Sequence, residues 1–346
     1  MKKEGKLKAS DIKVGVVGYG GAFNMGRAHL QEMQKAGMTP TAVCEINEER
    51  LKVAQTDFPG IETYTTVTEM LRKSPVKLLA IITPHNTHAK LALQCLRGLR
   101  HVVCEKPMAV TTAECDAMIA ASKEKGLVLS TYHNRHWDGC ILEAVERIGK
   151  GVIGDIVRIE AHMGGWRKPG DWWRTSRTVS GGILYDWGVH LLEYALQLIP
   201  SEIVEVTGFA HSGFWAPKTA WKDDTNEDEA QAVVRFASGQ WLTLTISSID
   251  SRPKHGQLEI TGTLGTYIFS GDSIEIVTHG PGGEEVVTKT KGRPGEGWRF
   301  YQNVADHLVK GTPLVITPEW ARRPIHILDL AVRSAQQGRT LRARYG

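Results

Sequence analysis

The chain of 346 residues is long enough for two domains, each of which could bury its own core. Its 41% apolar and 23% charged residues exclude wholesale disorder. A formal net charge of +4 is too small to indicate nucleic-acid binding, and no apolar run approaches the ~20 residues that a membrane span needs.

The cysteine content and the N-terminal segment both favour a location in the cytoplasm. The five cysteines are odd in number and none forms a CxxC pair, which favours reduced thiols over a disulfide frame or a zinc ribbon. Residues 1–10 are polar and lysine-rich and lack the apolar core of a signal peptide. We therefore expect a cytoplasmic protein without nucleic-acid or membrane partners.

Residues 12–17, IKVGVV, form a short apolar run that is typical of a buried parallel strand. A glycine-rich turn follows, in which Gly18 and Gly20 match the start of the G-x-G-x-x-G motif, whereas Phe23 stands at the third glycine position. A helical pattern then opens at Gly26. Glycines let the backbone approach a pyrophosphate, whose charge is attracted by the N–H groups at a helix start. The predicted dinucleotide-binding loop consists of Gly18, Gly20, Gly21, Ala22, Phe23, Asn24 and Met25.

A second predicted strand, residues 41–45, ends in an acidic residue. Glu45 lies 19 residues after Gly26, near the spacing at which an acid binds the ribose hydroxyls of a dinucleotide. A carboxylate there would repel the extra phosphate of NADP. The pattern therefore favours NAD over NADP.

Strands and helices alternate through the first part of the chain, with Asn47 and Thr66 as predicted helix caps. Strands are expected at 41–45, 77–83, 101–104 and 127–132, and helices at 26–37, 47–55, 66–73, 87–97 and 111–126. This alternation predicts a parallel sheet with right-handed crossovers, and ligands lie at the carboxyl ends of such strands. The candidate ligand-binding residues that follow strands are Glu45, Thr83, Pro84, His85, Glu105, Lys106, Pro107, His133, Asn134, Arg135 and His136.

After about residue 135 the pattern changes to short strands separated by turn residues, which indicates an antiparallel sheet. Strands are expected at 155–162 and in the runs IVEVTGFA, AQAVVRF, WLTLTISSI, QLEITGT, TYIFS and IEIV, and helices at 180–199, 298–310 and 318–337. We therefore expect an α/β protein with a Rossmann parallel-sheet domain over 1–135 and an α+β domain over 136–346.

Two groups of residues are candidates for acid–base chemistry. Lys106 follows a buried strand and falls where a nicotinamide should lie, so it could bind a substrate hydroxyl and help to move its proton; the alternative is an exposed lysine. Asp186 and His190 are four residues apart on one predicted helix and therefore share a face. Asp186 could orient His190, which would accept the proton of an alcohol; the alternative is a buried His–Asp hydrogen bond that holds the helix.

Residues 164–174 form a loop-like stretch that is both aromatic and basic and comes shortly before this helix. Tryptophan near polar groups makes platforms for sugar rings. The candidates for binding a polyol or its glycoside are Trp166, Lys168, Trp172, Trp173 and Arg174. The alternative is a loop that packs on a neighbouring subunit.

Several of these motifs, in their order along the chain, resemble the glucose–fructose oxidoreductase / inositol dehydrogenase / rhizopine-catabolism (Gfo/Idh/MocA) family. They are the glycine-rich turn, Thr83-Pro84 with His88, Glu105-Lys106-Pro107, and Gly181-Gly182-x3-Asp186-x-Gly188-x-His190. The likeness covers nearly the whole chain, including residues 300–313. It implies a tightly held nicotinamide cofactor, sugar, cyclitol or related polyol substrates, and a large open antiparallel sheet in the second domain. That sheet often forms the oligomer interface, so we expect a homodimer or homotetramer. The last helix is expected to pack back on the first domain.

The resemblance also implies roles for individual residues. Lys106 would be the catalytic or proton-relaying lysine, Asp186 a substrate-binding and proton-relaying acid, and His190 the base. The cofactor side would include Thr83, Pro84, His85, His88 and Glu105, and the substrate side His133, Arg135 and His136. His136 stands where members of the family often carry a second arginine. The histidines lack the spacing of metal ligands such as HExxH, so no metal site is predicted.

These observations predict an NAD(H)-dependent oxidoreductase that acts on a hydroxyl-bearing carbon of a sugar, cyclitol or glycoside. One alternative is a glycosidase that oxidises its substrate transiently and forms no net NADH. A second alternative is a cofactor-binding regulator without catalysis. Such a regulator need not keep Lys106, Asp186 and His190 together, as this chain does.

Overall fold

The computed structural model describes residues 7–345, so most of the segment considered for a signal peptide lies outside the described residues. Two compact units emerge from the contacts within the chain. The first unit contains residues up to 109, 113–133 and 298–322, and the second contains residues 110–112, 134–297 and those from 323 onwards. Segment 298–322 thus groups with the first unit, although it lies within the predicted second domain.

The described part of the first unit contains a six-stranded parallel sheet. Its strands are β1 (Lys13–Val17), β2 (Thr39–Cys44), β3 (Glu62–Tyr64), β4 (Leu78–Ile81), β5 (His101–Cys104) and β6 (Leu129–Thr131). The helices between them are α1 (Met25–Lys35), α2 (Glu48–Asp57), α3 (Val67–Lys73), α4 (His88–Arg97) and α5 (Thr112–Lys125).

The strand order is β3-β2-β1-β4-β5-β6, with every neighbouring pair parallel. This is the doubly wound order of a dinucleotide-binding fold, in which the connection changes direction between β1 and β4. Val14, Val16 and all of β4 are buried, as expected for central strands that are covered on both faces. The predicted Rossmann-type domain is confirmed, and its ligand crevice belongs at the carboxyl ends of these strands.

The local signals for helix starts are also confirmed. The Asn47 side chain accepts hydrogen bonds from the N–H groups of Glu49 and Arg50, and Thr66 accepts one from Glu69. Each cap satisfies backbone donors that a helix start leaves without an intrahelical partner.

The second unit contains most of the remaining elements. Its helices are α6 (Gly139–Gly149), α7 (Arg177–Ser180) and α8 (Leu184–Leu198). Its strands are β7 (Ile156–Gly164), β8 (Ile203–His211), β9 (Glu229–Phe236), β10 (Trp241–Ser247), β11 (Leu258–Gly262), β12 (Gly265–Ser270), β13 (Ser273–His279), β14 (Glu285–Lys291) and β15 (Leu341–Arg342). Two later helices are α9 (Arg299–Lys310), in the first unit, and α10 (Pro318–Gln337), which begins in the first unit and continues in the second.

Within the described residues, the second unit forms one nine-stranded sheet in the order β14-β13-β12-β11-β7-β10-β9-β8-β15. It is antiparallel except that β7 and β10 run parallel, which the sequence analysis did not predict. Parallel neighbours require a crossover rather than a hairpin, and the chain between β7 and β10 includes helix α8.

Helices α8 and α10 cover the sheet of the second unit. Helix α8 packs against β7 and β10, and most of its residues from Leu184 to Leu196 are buried. Helix α10 approaches β8 so closely that a Cβ atom at Gly208 would lie 1.9 Å from the carbonyl oxygen of Ala331. The Gly208 N–H instead donates to Oγ of Ser334 at 2.9 Å. Among the described residues, none of the helices is both long and apolar enough to cross a membrane.

Candidate active site

The turn after β1 requires glycine at two positions. Gly18 has φ of +100°, and a Cβ atom there would lie 1.9 Å from the carbonyl oxygen of Ile82. A Cβ atom at Gly26 would lie 2.7 Å from the Tyr19 ring. At Gly20 the same position faces open space, with nothing within 4 Å. The turn therefore packs tightly against Ile82, the residue that follows β4, on one side and stays open on the other, which fits the close approach of a pyrophosphate.

Two backbone donors of this turn bind within the protein. The Gly18 N–H donates to the carbonyl oxygen of Cys44 at 2.8 Å, and the Tyr19 N–H donates to Oε2 of Glu45 at 2.6 Å. These N–H groups are therefore not the ones that would hold a phosphate. Asn24, in the left-handed region with φ of 50°, directly precedes α1. The remaining candidate donors lie between residue 20 and the first turn of α1.

Glu45 stands at the end of β2, where the sequence predicted it, and its carboxylate connects two turns. Besides the Tyr19 N–H, it accepts a hydrogen bond from the Asn47 N–H at 3.0 Å. Arg50 adds a second link, because its Nε donates to the carbonyl oxygen of Tyr19 at 2.9 Å. Its guanidinium also lies 3.1 Å from the Cβ position of Gly21. A carboxylate and a guanidinium thus both flank the glycine-rich turn.

Thr83, Pro84 and His85 follow β4, and His88 begins α4. The ring nitrogens of His88 lie 2.8 Å from two carbonyl oxygens, Nδ1 from that of Pro107 and Nε2 from that of Thr83. Burial lowers the pKa of His88, although both carbonyl contacts oppose this shift. A neutral imidazole has a single N–H and can donate to only one of the two oxygens. His88 therefore braces the Thr83 segment against the Pro107 segment, and its expected contact with a cofactor stays a prediction.

Glu105 and Lys106 follow β5, and both oxygens of Glu105 are bound. The Lys106 N–H donates to Oε2 at 2.9 Å, and Nε2 of His29 lies 3.0 Å from Oε1. Burial raises the pKa of Glu105, but the contacts with His29 and Lys106 outweigh it and hold the pKa below its usual value. Glu105 is therefore a carboxylate at neutral pH. The charged carboxylate of Glu105 therefore holds the backbone N–H of Lys106 at the start of the Glu-Lys-Pro motif.

In the second unit, Arg174 and Asp186 form an ion pair. Nη1 of Arg174 lies 2.9 Å from Oδ1 and 3.1 Å from Oδ2 of Asp186. The guanidinium carbon lies 5.1 Å from the ring centre of Trp172 and 5.2 Å from that of Trp173, within the range of cation–π attraction. The structure thus brings three of the predicted substrate-side residues together at the predicted acid.

Helix α8 carries a polar stripe on an otherwise apolar surface. Asp186, His190, Glu193 and Gln197 follow one another at intervals of three or four residues, which places them on one face. Nδ1 of His136 lies 2.5 Å from Oε1 of the buried Glu193, and Gln197 donates to Oε2 of the same carboxylate at 3.1 Å. His136 therefore belongs with the stripe that contains His190.

The ring of Trp187 contacts two of the predicted site residues, His190 and Arg135. Its contact with the His190 ring spans 5.6 Å between centroids, and the Arg135 guanidinium lies 5.0 Å from its ring centre. Arg135 also donates to Asp138 at 2.9 Å. Arg135 is thereby held near the same face of α8.

Three further predicted substrate residues, Trp166, Lys168 and His133, have surroundings of their own. Trp166 is 56% exposed and belongs to an aromatic cluster with Phe214 and Trp215. Lys168 is exposed, with Nζ 3.6 Å from Asp171. His133 belongs to the first unit and is fully buried. The contact of these three residues with a substrate stays a prediction.

Sequence reasoning missed the partners that lie far away along the chain. In the first unit these partners are Tyr301 and Tyr132, which both contact His29, and in the second unit Glu193 pairs with His136. A weak signal existed for His29, the polar residue directly before Leu30 on the apolar side of α1. The spacing of three residues from His190 to Glu193 was a second available signal.

Comparisons with known proteins agree with this architecture. A model of the oxidoreductase family with an NAD-binding Rossmann fold matches residues 12–133, and a model of the GFO/IDH/MocA C-terminal domain matches residues 141–268. The scyllo-inositol 2-dehydrogenase (NADP(+)) IolW of Bacillus subtilis is 23% identical, over 98% of this chain and 98% of its own length. The myo-inositol 2-dehydrogenase of Thermotoga maritima is 28% identical over 66% of each chain. The structure of levoglucosan dehydrogenase in complex with NADH has a TM-score of 0.80 at 20% identity, over 96% of this chain and 99% of that chain, and so shares the fold. The chain therefore belongs to the Gfo/Idh/MocA family of oxidoreductases, with an NAD-binding Rossmann domain.

Proposed function

We propose that this protein is an NAD(H)-dependent dehydrogenase of a sugar, cyclitol or glycoside. When bound, the nicotinamide would exchange a hydride with a hydroxyl-bearing carbon of the substrate. The observation that carries the proposal is the set Lys106, Asp186 and His190 in a chain whose glycine turn fits a dinucleotide. The names of the two inositol dehydrogenase relatives support a polyol substrate.

Three residues of the chain manage the hydroxyl proton in this proposal. His190 accepts the proton as the base, because an imidazole titrates near neutral pH in the absence of perturbation. Lys106 binds the same hydroxyl and relays its proton. Asp186 orients the substrate and His190, and the ion pair with Arg174 keeps its carboxylate in place. Trp172 and Trp173 offer apolar faces for a sugar ring.

The cofactor side is assigned to the first unit. Backbone N–H groups from residue 20 to the start of α1 would hold the pyrophosphate, since those of Gly18 and Tyr19 donate within the protein. Glu45 supports a preference for NAD, because its charge opposes a 2′-phosphate. The relative IolW is named for NADP(+), so the preference of this chain is a direct object of the test.

The proposed protein is a homodimer or homotetramer that is located in the cytoplasm. All five cysteines are buried thiols outside any disulfide, which supports a reducing compartment. Sedimentation of the purified protein would measure the oligomer.

The function is tested by denaturing the purified protein and identifying any released nicotinamide. The cofactor-loaded protein is then screened against sugars, inositols and simple glycosides, with NADH absorbance and sugar products followed together. NADH that forms together with an oxidised sugar supports the dehydrogenase. Release of an aglycone without net NADH would instead support the redox glycosidase.

A further inference from the structure

We propose that His29 and Tyr301 are positioning residues that hold the Glu105 carboxylate and, through it, the backbone of Lys106. The inference deepens the proposed function, because it concerns the lysine assigned to proton relay there. Neither residue was singled out from the sequence as a site residue. Both lie in the first unit, together with Glu105 and Lys106.

The geometry is a chain of three side chains. His29, the fifth residue of α1, and Tyr301, near the start of α9, are both fully buried. The Tyr301 hydroxyl lies 2.5 Å from Nδ1 of His29, and Nε2 of the same ring lies 3.0 Å from Oε1 of Glu105. The side chain of Glu105 is 13% exposed, so it is the one member of this hydrogen-bonded series that reaches the surface.

The direction of these hydrogen bonds follows from the charge of Glu105. Its lowered pKa makes it a carboxylate, which can only accept, so Nε2 of His29 must carry a hydrogen. Burial, followed by the charges of Glu32 and Glu105, raises the pKa of Tyr301, so its hydroxyl keeps its proton. An imidazole with its single hydrogen on Nε2 has a lone pair at Nδ1, which accepts a hydrogen bond from the Tyr301 hydroxyl. Glu105 thereby fixes the Nε2–H tautomer of His29, and Tyr301 supplies the donor that the remaining ring nitrogen, Nδ1, requires.

The far end of the chain reaches the EKP motif. Oε2 of Glu105 accepts the hydrogen bond of the Lys106 N–H at 2.9 Å. One continuous path of hydrogen bonds therefore joins α9, α1 and the end of β5. Without the Tyr301 hydroxyl the buried Nδ1 atom of His29 loses its hydrogen-bond donor, which is costly, so the His29 ring is expected to reorient. The expected consequence is a displaced Glu105 carboxylate and a less well placed Lys106.

Tyr132 offers a matched control from the same cluster. Its ring lies 4.2 Å from the ring of His29 and 5.6 Å from that of Tyr301. Its hydroxyl, however, donates to Oε2 of Glu32 at 2.6 Å and is not part of the path to Glu105. Tyr132→Phe and Tyr301→Phe therefore remove the same atom type from the same aromatic cluster, and only the second change interrupts the path.

The experiment compares these two variants with the wild-type protein by NMR and by kinetics. Proteins labelled with ¹⁵N at histidine and lysine report the tautomer of His29 and the amide resonance of Lys106, assigned through His29→Asn and Lys106→Arg. We expect the Nε2–H tautomer in the wild type and in Tyr132→Phe. In Tyr301→Phe we expect a changed Nδ1 resonance of His29, because its hydrogen bond with the Tyr301 hydroxyl is lost, together with a shift of the Lys106 amide. In turnover, Tyr301→Phe should lower kcat by ~10-fold and leave the cofactor Kd within about twofold, because Glu45 and the glycine turn keep their contacts.

Two results would overturn the inference. One is the Nδ1–H tautomer of His29 in the wild type, and the other is an equal effect of the two variants on the Lys106 amide and on kcat. A purely structural role would lower the melting temperature of both variants and leave kcat unchanged. If the wild type oxidises no polyol, the proposed function fails, and the NMR comparison alone then decides the inference.

Discussion

Arg174 donates through Nη1 to both carboxylate oxygens of Asp186, at 2.9 and 3.1 Å, and places its guanidinium beside two tryptophans. The acid that the family motif singles out is therefore half of an ion pair within the second unit. Nearby, His136 pairs with the buried Glu193 on the same face of α8. Arg174 and His136 thus bind the two carboxylates, Asp186 and Glu193, on the polar face of this helix.

The ion pair predicts a large effect of Arg174→Ala. Without the guanidinium, the carboxylate of Asp186 loses a charge-assisted hydrogen bond, so kcat/KM for the polyol should fall by ~10-fold or more. The cofactor Kd should not change. Arg167→Ala, which alters an exposed arginine of the same loop, is the control and should behave like the wild type. Equal kinetics for the two variants would show that Arg174 does not support Asp186.

The proposed acid–base roles predict the behaviour of Lys106→Ala and His190→Ala. Each should keep cofactor binding, measured by fluorescence titration, yet lose turnover by ~10²-fold or more, the scale for a lost acid–base group. His279→Ala changes an exposed histidine at the end of β13 and serves as the control. Normal turnover in both active-site variants would remove the assignment.

The position of Glu45 predicts a change in cofactor selectivity. Glu45→Ala removes both the charge that repels a 2′-phosphate and the acceptor of the Tyr19 N–H. NAD should therefore bind ~10-fold more weakly, and the discrimination against NADP should relax. Titrations of both cofactors measure this, with Glu48→Gln, an exposed acid in the first turn of α2, as the control. An unchanged preference for NAD over NADP would mean that another residue binds the ribose of the cofactor.

The cysteines predict an unreactive native protein. All five are buried thiols that form no disulfide. Burial, followed by the charge of Glu45, raises the pKa of Cys44 to about 12, and burial raises that of Cys140 to about 11. Since both thiols stay protonated at pH 8, the native protein should react slowly with the thiol reagent DTNB. Addition of guanidinium chloride should release all five thiols, and rapid labelling without denaturant would contradict the burial.

Two glycines of α6 predict opposite changes in stability. A Cβ atom at Gly139 would lie 1.6 Å from the carbonyl oxygen of Arg293, whereas one at Gly149 would meet nothing within 4 Å. Gly139→Ala should therefore lower the melting temperature. Gly149→Ala should raise the free energy of unfolding by ~0.5–1 kcal/mol, because alanine restricts the unfolded chain. Urea unfolding of both variants checks the sign of each effect.

The sequence predicted those features that depend on neighbouring residues. The caps at Asn47 and Thr66, most of the alternating elements of the first unit and the β8–β13 strands were recognised, because each carries a local signal. The three-residue strand β3 was missed. Helix α6 begins at a glycine and was missed. Strand β14 was missed because nearly all of its residues are exposed and show no alternation.

Contacts between distant residues were beyond prediction. His29 and Tyr301 are 272 positions apart, and no spacing rule connects them. The ion pair of Arg174 with Asp186 likewise depends on how a loop folds over a helix. Arg174 and Asp186 were nevertheless each named from the sequence. Arg174 lies in a loop with a recognisable aromatic and basic composition, and Asp186 belongs to a family motif.

The most direct test of the central claim is the joint measurement of NADH and sugar product with the cofactor-loaded protein and a panel of inositols, sugars and glycosides. The account predicts one NADH for each polyol oxidised, with the signal lost in Lys106→Ala and in His190→Ala. A cofactor that binds normally while no polyol in the panel yields NADH or product, in either direction of the reaction, would contradict it.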